Sequence, residues 1–371
     1  MVDFARLTAQ ETLSRNDLLA ILGAKDVGDV EIIRRAAETV LLEQCGPQVY
    51  LRGLVESSNA CSCDCLYCGI RKSNKAENRY TLDVDQIAAC ARQCAELGYG
   101  SMVIQSGERS DKKFIDLTIE ALRRIKRETQ SEAQPDGLGI TLCVGQQSRE
   151  TYQRLYDAGA HRYLLRIEST NPDLFASIHP GDQTFESRLE CLGLLRDIGY
   201  QVGTGVMIGL PGQTLEDLAG DILFFAEHDI DMIGMGPFVP DPETPLGGEA
   251  CPSVADRVRL SLLMIAATRL TLRDVNIAST TALQTLDPIG REKGLKFGAN
   301  VIMPQVTPPE VRKDYQLYPG KPCLDENALE CHSCLGARIA FAGRTIGYNV
   351  WGDSVHAKRR RSHSMLRSAA E

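Results

Sequence analysis

Between residues 48 and 304 the chain alternates between short apolar runs of strand length and longer stretches whose apolar residues recur at helical spacing. Few folds accommodate that rhythm. The strand-like runs are Val49–Val55, Ser101–Gln105, Gly139–Val144, Arg162–Ser169, Val202–Ile208, Met232–Phe238, Ile277–Ala282 and Val301–Pro304. The helix-like stretches between them are Asp85–Leu97, Phe114–Arg127, Arg149–Asp157, Phe185–Asp197, Leu215–Glu227, Ala255–Leu272 and Pro288–Phe297. A helix between successive strands predicts parallel pairing through right-handed crossovers. The expected fold is α/β, a (β/α)8 TIM barrel over 47–310, with an open doubly wound sheet as the alternative because alternation does not reveal closure. Residues 1–46 read as a helical extension capping one end. Residues 311–371 read as a C-terminal extension with further cysteines and a basic tail, Lys358–Arg361, expected to be solvated and mobile. In either architecture ligands sit at the carboxyl ends of the strands.

The loop after the first strand, Asn59 to Gly69, occupies such a position and holds Cys61, Cys65 and Cys68 in the pattern C-x3-C-x2-C. Thiolates are soft ligands that select zinc or iron-sulfur clusters, and structural zinc wants four protein ligands. Three cysteines leave one iron of a 4Fe-4S cluster open to a substrate or cofactor. A zinc loop completed by Cys63 is the alternative. Cys63 would point away from its neighbours in an extended loop and is read as a bystander. Cys323, Cys331 and Cys334, in C-x7-C-x2-C, suggest another metal, either an accessory 2Fe-2S or 4Fe-4S cluster or a zinc completed by His332. Thirteen cysteines, an odd number, do not read as a secreted disulfide framework. With a net charge of -8, no leader-like amino terminus and no apolar run of membrane-spanning length, the chain is expected in the reduced cytoplasm, without nucleic-acid or membrane partners.

In Arg162-Tyr-Leu-Leu-Arg-Ile-Glu168, side-chain alternation puts Arg162, Leu164, Arg166 and Glu168 on one face and Tyr163, Leu165 and Ile167 on the other. The apolar face should meet the helices, which turns two arginines and a glutamate into the barrel. Buried charges cost several kcal/mol each unless paired or ligand-bound. An internal ion-pair network is the plain reading. Inward glycines on two later strands, in Gly203-Thr-Gly-Val-Met-Ile-Gly209 and Met232-Ile-Gly-Met-Gly236, point instead to a cavity for a polar ligand.

The cysteine spacing, with Tyr67 before the last thiol, resembles the signature of the radical S-adenosylmethionine (SAM) superfamily. Gln105-Ser-Gly-Glu108, Arg162 to Glu168, Gly209-Leu-Pro-Gly-Gln213, Gly236-Pro-Phe238, Gly298 to Pro304 and Tyr315 to Lys321 narrow it. Together they resemble the HydE family of radical SAM FeFe-hydrogenase maturases, near biotin synthase and methylornithine synthase. That resemblance implies a 4Fe-4S cluster on Cys61, Cys65 and Cys68. It implies SAM contacts from Glu168 and Arg188, with Ser106, Thr141 and Tyr315 on the cofactor side. A deeper anion-accepting, catalytic pocket would use Arg162, Arg166, Thr280, Thr281, Met232, Met303 and Tyr318. The implied reaction cleaves SAM to a 5'-deoxyadenosyl radical and remodels a small organometallic precursor of iron, carbonyl, cyanide and cysteine on the way to a dithiolate-bridged diiron cluster. Implied partners are HydG, HydF and a low-potential ferredoxin or flavodoxin, with the chain itself monomeric. Departures from the pattern are Cys63 and Ile289, the latter where glycine is expected.

Two other functions stay open. A methylornithine synthase-like or biotin synthase-like enzyme shares the cofactor chemistry, but the amine of a lysine substrate needs an acidic partner, and the inward set offers two arginines to one glutamate. A non-catalytic iron-sulfur carrier would not need a glycine-lined cavity.

Overall fold

The computed structural model describes residues 2–324 and 328–368, apart from the side chains of 328–331 and 363–368. Its strands are β1 (Gln48–Ser58), β2 (Ser101–Ser106), β3 (Gly139–Cys143), β4 (Arg162–Leu164), β5 (Gln201–Thr204), β6 (Met207–Ile208), β7 (Met232–Pro237), β8 (Asn276–Ser279), β9 (Val301–Ile302) and β10 (Thr345–Gly347). Eight pair in parallel in the order β1-β2-β3-β4-β5-β7-β8-β9. β9 returns to β1 with Tyr50 opposite Val301 and Leu51 opposite Ile302. The barrel is therefore closed, and the open-sheet alternative falls. β6 adds to the outer end of β7, and β10 to the first residues of β1.

The crossovers form where their caps dictate. Asp83, Asp111, Ser148, Thr184 and Thr214 each accept a backbone N–H from the first turn of the helix that follows, Val84–Glu96, Lys112–Glu128, Arg149–Asp157, Phe185–Ile198 and Leu215–Glu227. The outward face of β4 behaves as its alternation requires. Tyr163 lies edge-on to Tyr152 and Tyr200 of the helical layer at 5.0 and 5.7 Å, and Leu165 and Ile167 are buried with it. The amino-terminal helices Arg15–Leu22 and Val27–Cys45 pack on Leu215–Glu227 and Val254–Leu272. One continuous apolar cluster runs from Phe4 to Ala342.

The end of the barrel opposite the cysteine loop is plugged by the C-terminal segment after β10. Arg162 donates to Trp351 O (2.8 Å), Asp353 Oδ1 (2.9 Å), Ser101 Oγ (2.6 Å) and Thr141 Oγ1 (3.1 Å). Arg52 donates to Gly352 O (3.1 Å) and to the Met232 sulfur (3.2 Å). Two arginines of the basic tail are held by ion pairs. Within the helix Val355–Ser368, Arg359 pairs with Asp274 at 3.1 Å, and Arg360 pairs with Asp229 and Asp231 at 2.7 Å each. Among the described residues no helix is long and apolar enough to cross a membrane.

Candidate active site

Above the plug, at the carboxyl ends of the strands, lies a cavity of about 240 Å³. The loop leaving β1 brings Cys61, Cys65 and Cys68 to its wall. One guanidinium sets that loop's shape: Arg79 donates to the carbonyls of Asn59 (2.6 Å), Ile70 (2.8 Å), Arg71 (2.6 Å) and Asn74 (3.0 Å). Asn59 ties it from below, accepting from Tyr80 N (2.8 Å) and donating to Asn78 O (2.8 Å) and Asp314 O (2.5 Å). Gly107 lets β2 approach, since a Cβ there would lie 2.4 Å from Ala60 O and 2.7 Å from Cys61 Cβ.

The thiols are electrostatically unequal. Cys61 is drawn down to about 7, chiefly by the Cys63 thiol and with help from the N–H groups of Cys63 (3.4 Å) and Glu108 (3.3 Å). Burial pushes Cys65 up to about 12 and Cys68 well above its ordinary value. Buried thiols of this kind need a cation to hold them ionised, as an iron-sulfur cluster does. Among the described residues no three His, Cys, Asp or Glu side chains converge on a single ion. The three thiols instead border a cavity with room for a larger group, which fits a cluster. Cys63 does not point away from the others: the loop is folded, and Cys63 is buried on the same wall.

Of the other expected residues, the structure gathers Ser106, Arg166, Glu168, Arg188, Thr280, Thr281, Met303, Tyr315 and Tyr318 around this one cavity. Glu168 takes a left-handed backbone conformation (φ 63°) where the β4 chain turns, an uncommon state for a side-chain-bearing residue and one that aims it inward. Burial raises its carboxyl while Arg166 and Arg188 pull it down, and Oε2 has no hydrogen-bond partner among the described residues. Arg188, on the helix Phe185–Ile198, is only 6% exposed. It stands 3.5 Å from Glu108 with Nε unpartnered. Arg166 makes no hydrogen bond or ion pair with the described residues. β8 ends earlier than expected, so Thr280 precedes the helix Thr281–Leu286 without capping it, and its hydroxyl is unpartnered. Tyr318 and Thr281 share a hydrogen bond of 2.9 Å, and Tyr315 OH accepts from Gln105 at 3.1 Å. Unpartnered buried groups facing one cavity fit a polar ligand such as SAM with a second, anionic molecule.

Three expected residues lie elsewhere. Arg162, Thr141 and Met232 belong to the plug, where Arg162 spends its donors on Thr141 and the C-terminal segment and Met232 accepts from Arg52. The inward glycines do not all open space for a ligand. Gly236 lines the cavity, but the space at Gly203 is filled by Met232 and Leu164, and Gly205 lies against the Gly234 backbone. Gly209-Leu-Pro-Gly-Gln213 is a turn closed by Gln213, whose Oε1 accepts from Gly209 N at 2.6 Å.

The sequence reading missed an ion pair in the cavity wall, Glu56 with Lys321, in which Gln305 also donates to Glu56 at 2.8 Å. It also missed Gln183 and Cys143. With these the cavity carries Glu56, Glu108 and Glu168 against Arg166, Arg188 and Lys321, so charge balance alone does not set aside an amine substrate. In the second cysteine group, Cys334 Sγ accepts from Arg338 at 3.4 Å and Cys323 lies in the same guanidinium's field. His332 hydrogen-bonds Tyr99 OH at 3.3 Å. The Cys331 side chain lies outside the described residues.

The family described as the Radical SAM superfamily matches residues 55–225. The [FeFe] hydrogenase maturase subunit HydE of Thermotoga maritima is 41% identical over 351 residues, covering 94% of each chain. Among solved structures, methylornithine synthase (PylB) aligns with a TM-score of 0.76 at 22% identity, over 93% of this chain and 97% of its own. The FeFe-hydrogenase maturase HydG from Carboxydothermus hydrogenoformans aligns with a TM-score of 0.77 at 21% identity, over 93% and 78%. At those identities the two structures speak for the fold.

Proposed function

Because the chain belongs to the HydE family of the radical SAM superfamily, we propose that its cavity holds a 4Fe-4S cluster and SAM at the cysteine loop and, deeper, a small iron complex bearing carbonyl, cyanide and cysteine groups. The chain is a radical SAM enzyme of hydrogenase maturation; the precursor's identity and the division of the cavity are the proposal. When bound, a cluster with one open iron supplies the electron that splits SAM into methionine and a 5'-deoxyadenosyl radical. The protein's part is to bind and orient. Arg188, with a free Nε, suits a carboxylate through its planar fork, and Glu168 offers its free oxygen to a donor on the cofactor. Arg166, Thr280 and Tyr318 present a cation and hydroxyls to an anionic ligand beyond it.

The observation that carries this reading is that the three thiols, Glu168 with its free Oε2, Arg188 with its free Nε, and Arg166 border a single cavity. A cluster carrier has no use for such a polar-lined cavity. Anaerobic incubation of cluster-loaded protein with SAM and dithionite tests it: 5'-deoxyadenosine release is expected, and its absence from protein of full iron content refutes the reading. We further propose that HydG supplies the substrate, HydF receives the product, and a ferredoxin or flavodoxin reduces the chain as a monomer in the cytoplasm. Cys323, Cys331 and Cys334 would hold an accessory iron-sulfur cluster.

A further inference from the structure

Glu168 is the site residue whose backbone is hardest to hold. A left-handed conformation is disfavoured for any residue with a Cβ and persists only where the surroundings fix it. Upstream, Gly205 O accepts from Ile167 N (3.2 Å) and Glu168 N (2.9 Å), and Glu168 O accepts from Met207 N (3.0 Å). Downstream the chain leaves the sheet, and the helix Leu215–Glu227 takes it up. Asp221 Oδ1 accepts from Thr170 N (2.8 Å) and Thr170 Oγ1 (2.6 Å), and Asp217 Oδ1 accepts from Asn171 Nδ2 (2.8 Å).

The two aspartates differ in what else they do. Asp217 also closes the capping box of its own helix, its Oδ2 accepting from Thr214 N at 2.8 Å. Asp221 is 0% exposed, its hydrogen bonds among the described residues both come from Thr170, and its Oδ2 has no partner. A buried carboxylate with a free oxygen, one helical turn from a like charge, is costly. For stability alone an apolar side chain would serve better there.

We propose that Asp221 is a positioning residue: by pinning Thr170 it holds Glu168, two residues earlier, in the left-handed conformation that turns its carboxylate toward the cofactor. The inference rests on the reading that Glu168 contacts SAM.

The test is calorimetry of SAM binding to cluster-loaded protein, arranged as a double-mutant cycle. Asp221→Leu removes both hydrogen bonds to Thr170 and should weaken SAM about tenfold, the bias against one left-handed residue. In a Glu168→Ala background the same substitution should change the affinity by less than about twofold, whereas in an Arg188→Ala background the full loss should persist. Asp221→Asn keeps an acceptor for Thr170 and should bind near wild type. Thr170→Val spares the backbone N–H and should lose about threefold, again only with the Glu168 side chain present; it decides the matter if Asp221→Leu does not fold. Undiminished affinity in both Asp221→Leu and Thr170→Val overturns the inference. So does a loss that survives in the Glu168→Ala background, or an asparagine variant as weak as the leucine one, since general loosening of the wall would then account for the effect. Glu168→Ala protein that binds SAM as tightly as wild type refutes instead the reading of Glu168 as a cofactor contact, and this inference falls with it.

Discussion

Asp353→Asn separates the floor of the barrel from its site. Asp353 is the carboxylate facing two buried guanidiniums: Arg162, with a side chain 0% exposed and a 2.9 Å bond to Oδ1, and Arg52 beside it. His161 Nε2 shares the same oxygen at 3.1 Å. Removing one partner of a buried pair costs about 3–5 kcal/mol because the other charge is left uncompensated. Asparagine keeps an acceptor, and Arg162 keeps Trp351 O, Ser101 Oγ and Thr141 Oγ1, so the lower end, about 3 kcal/mol, is expected. At about 2–4 °C per kcal/mol for chains of 150–250 residues, and less for longer ones, the melting temperature should fall by about 5 °C. The Asp353 carboxyl is held far below the usual carboxylate range, burial opposing but His161 and Arg162 prevailing. A depressed carboxyl stabilises above its unfolded pKa, and that stability is lost as pH falls toward the folded value. The deficit of the variant should therefore be complete at neutral pH and narrow below about pH 4. SAM affinity, measured by calorimetry in the same preparations, should not change. Intact stability with weakened SAM binding or cleavage would place Arg162 in the site after all and refute the division between plug and cavity.

Cys61→Ala, Cys65→Ala and Cys68→Ala should each abolish the catalytic cluster while Cys63→Ala keeps it, as read by iron content and visible absorbance of reconstituted protein. Glu168→Gln and Arg188→Ala should each weaken SAM by about 1.5–3 kcal/mol, roughly ten- to a hundredfold, whereas Arg166→Ala should leave SAM binding nearly intact and slow the later step; calorimetry that ranks Arg166→Ala worst would defeat the two-part cavity. His356 is raised to about 9 by Asp229 and Asp274. Its stabilisation is complete below its unfolded value near 6.5 and lost as pH rises through about 9, so the denaturation midpoints of His356→Gln and wild type should differ at about pH 6 and converge above about pH 9.

The barrel was legible because its signal is local. Each crossover helix carries an amphipathic face and its own cap, and each long strand shows its alternation within a few residues. The cysteine loop was legible for the same reason, since its spacing is a property of eight consecutive positions, Cys61 to Cys68. Strand ends were less so. β4 was expected to run to Ser169; its regular ladder ends at Leu164, although Leu165 and Ile167 still donate to Gly203 O (2.9 Å) and Gly205 O (3.2 Å), and Glu168 then takes a left-handed conformation for which no propensity is written into a glutamate. β10 and the plug were missed altogether, since three strand residues far along the chain carry no pattern until β1 offers them an edge.

Alternation tells which face a side chain takes but not how deep it lies, and depth is what divides the inward residues by role. On β4, Arg162, Leu164 and Arg166 share a face. On β1, Arg52, Leu54 and Glu56 do the same, a parallel that the sequence displayed and the sequence reading passed over. In both strands the leucine lines the cavity, the residue two before it faces the plug, and the residue two after it is a charge in the cavity wall. The boundary between the two levels is drawn by Trp351, Gly352 and Asp353, which enter the barrel about 190 residues after β4 and take up the lower arginines. Without that segment Arg162 would be an unpaired charge in an open barrel, and reading it as a ligand-binding group would have been sound. The lower arginine of each strand thus belongs to the fold and the charge above the leucine to the site. The assignment turns on a contact too distant in the chain for any local pattern to announce.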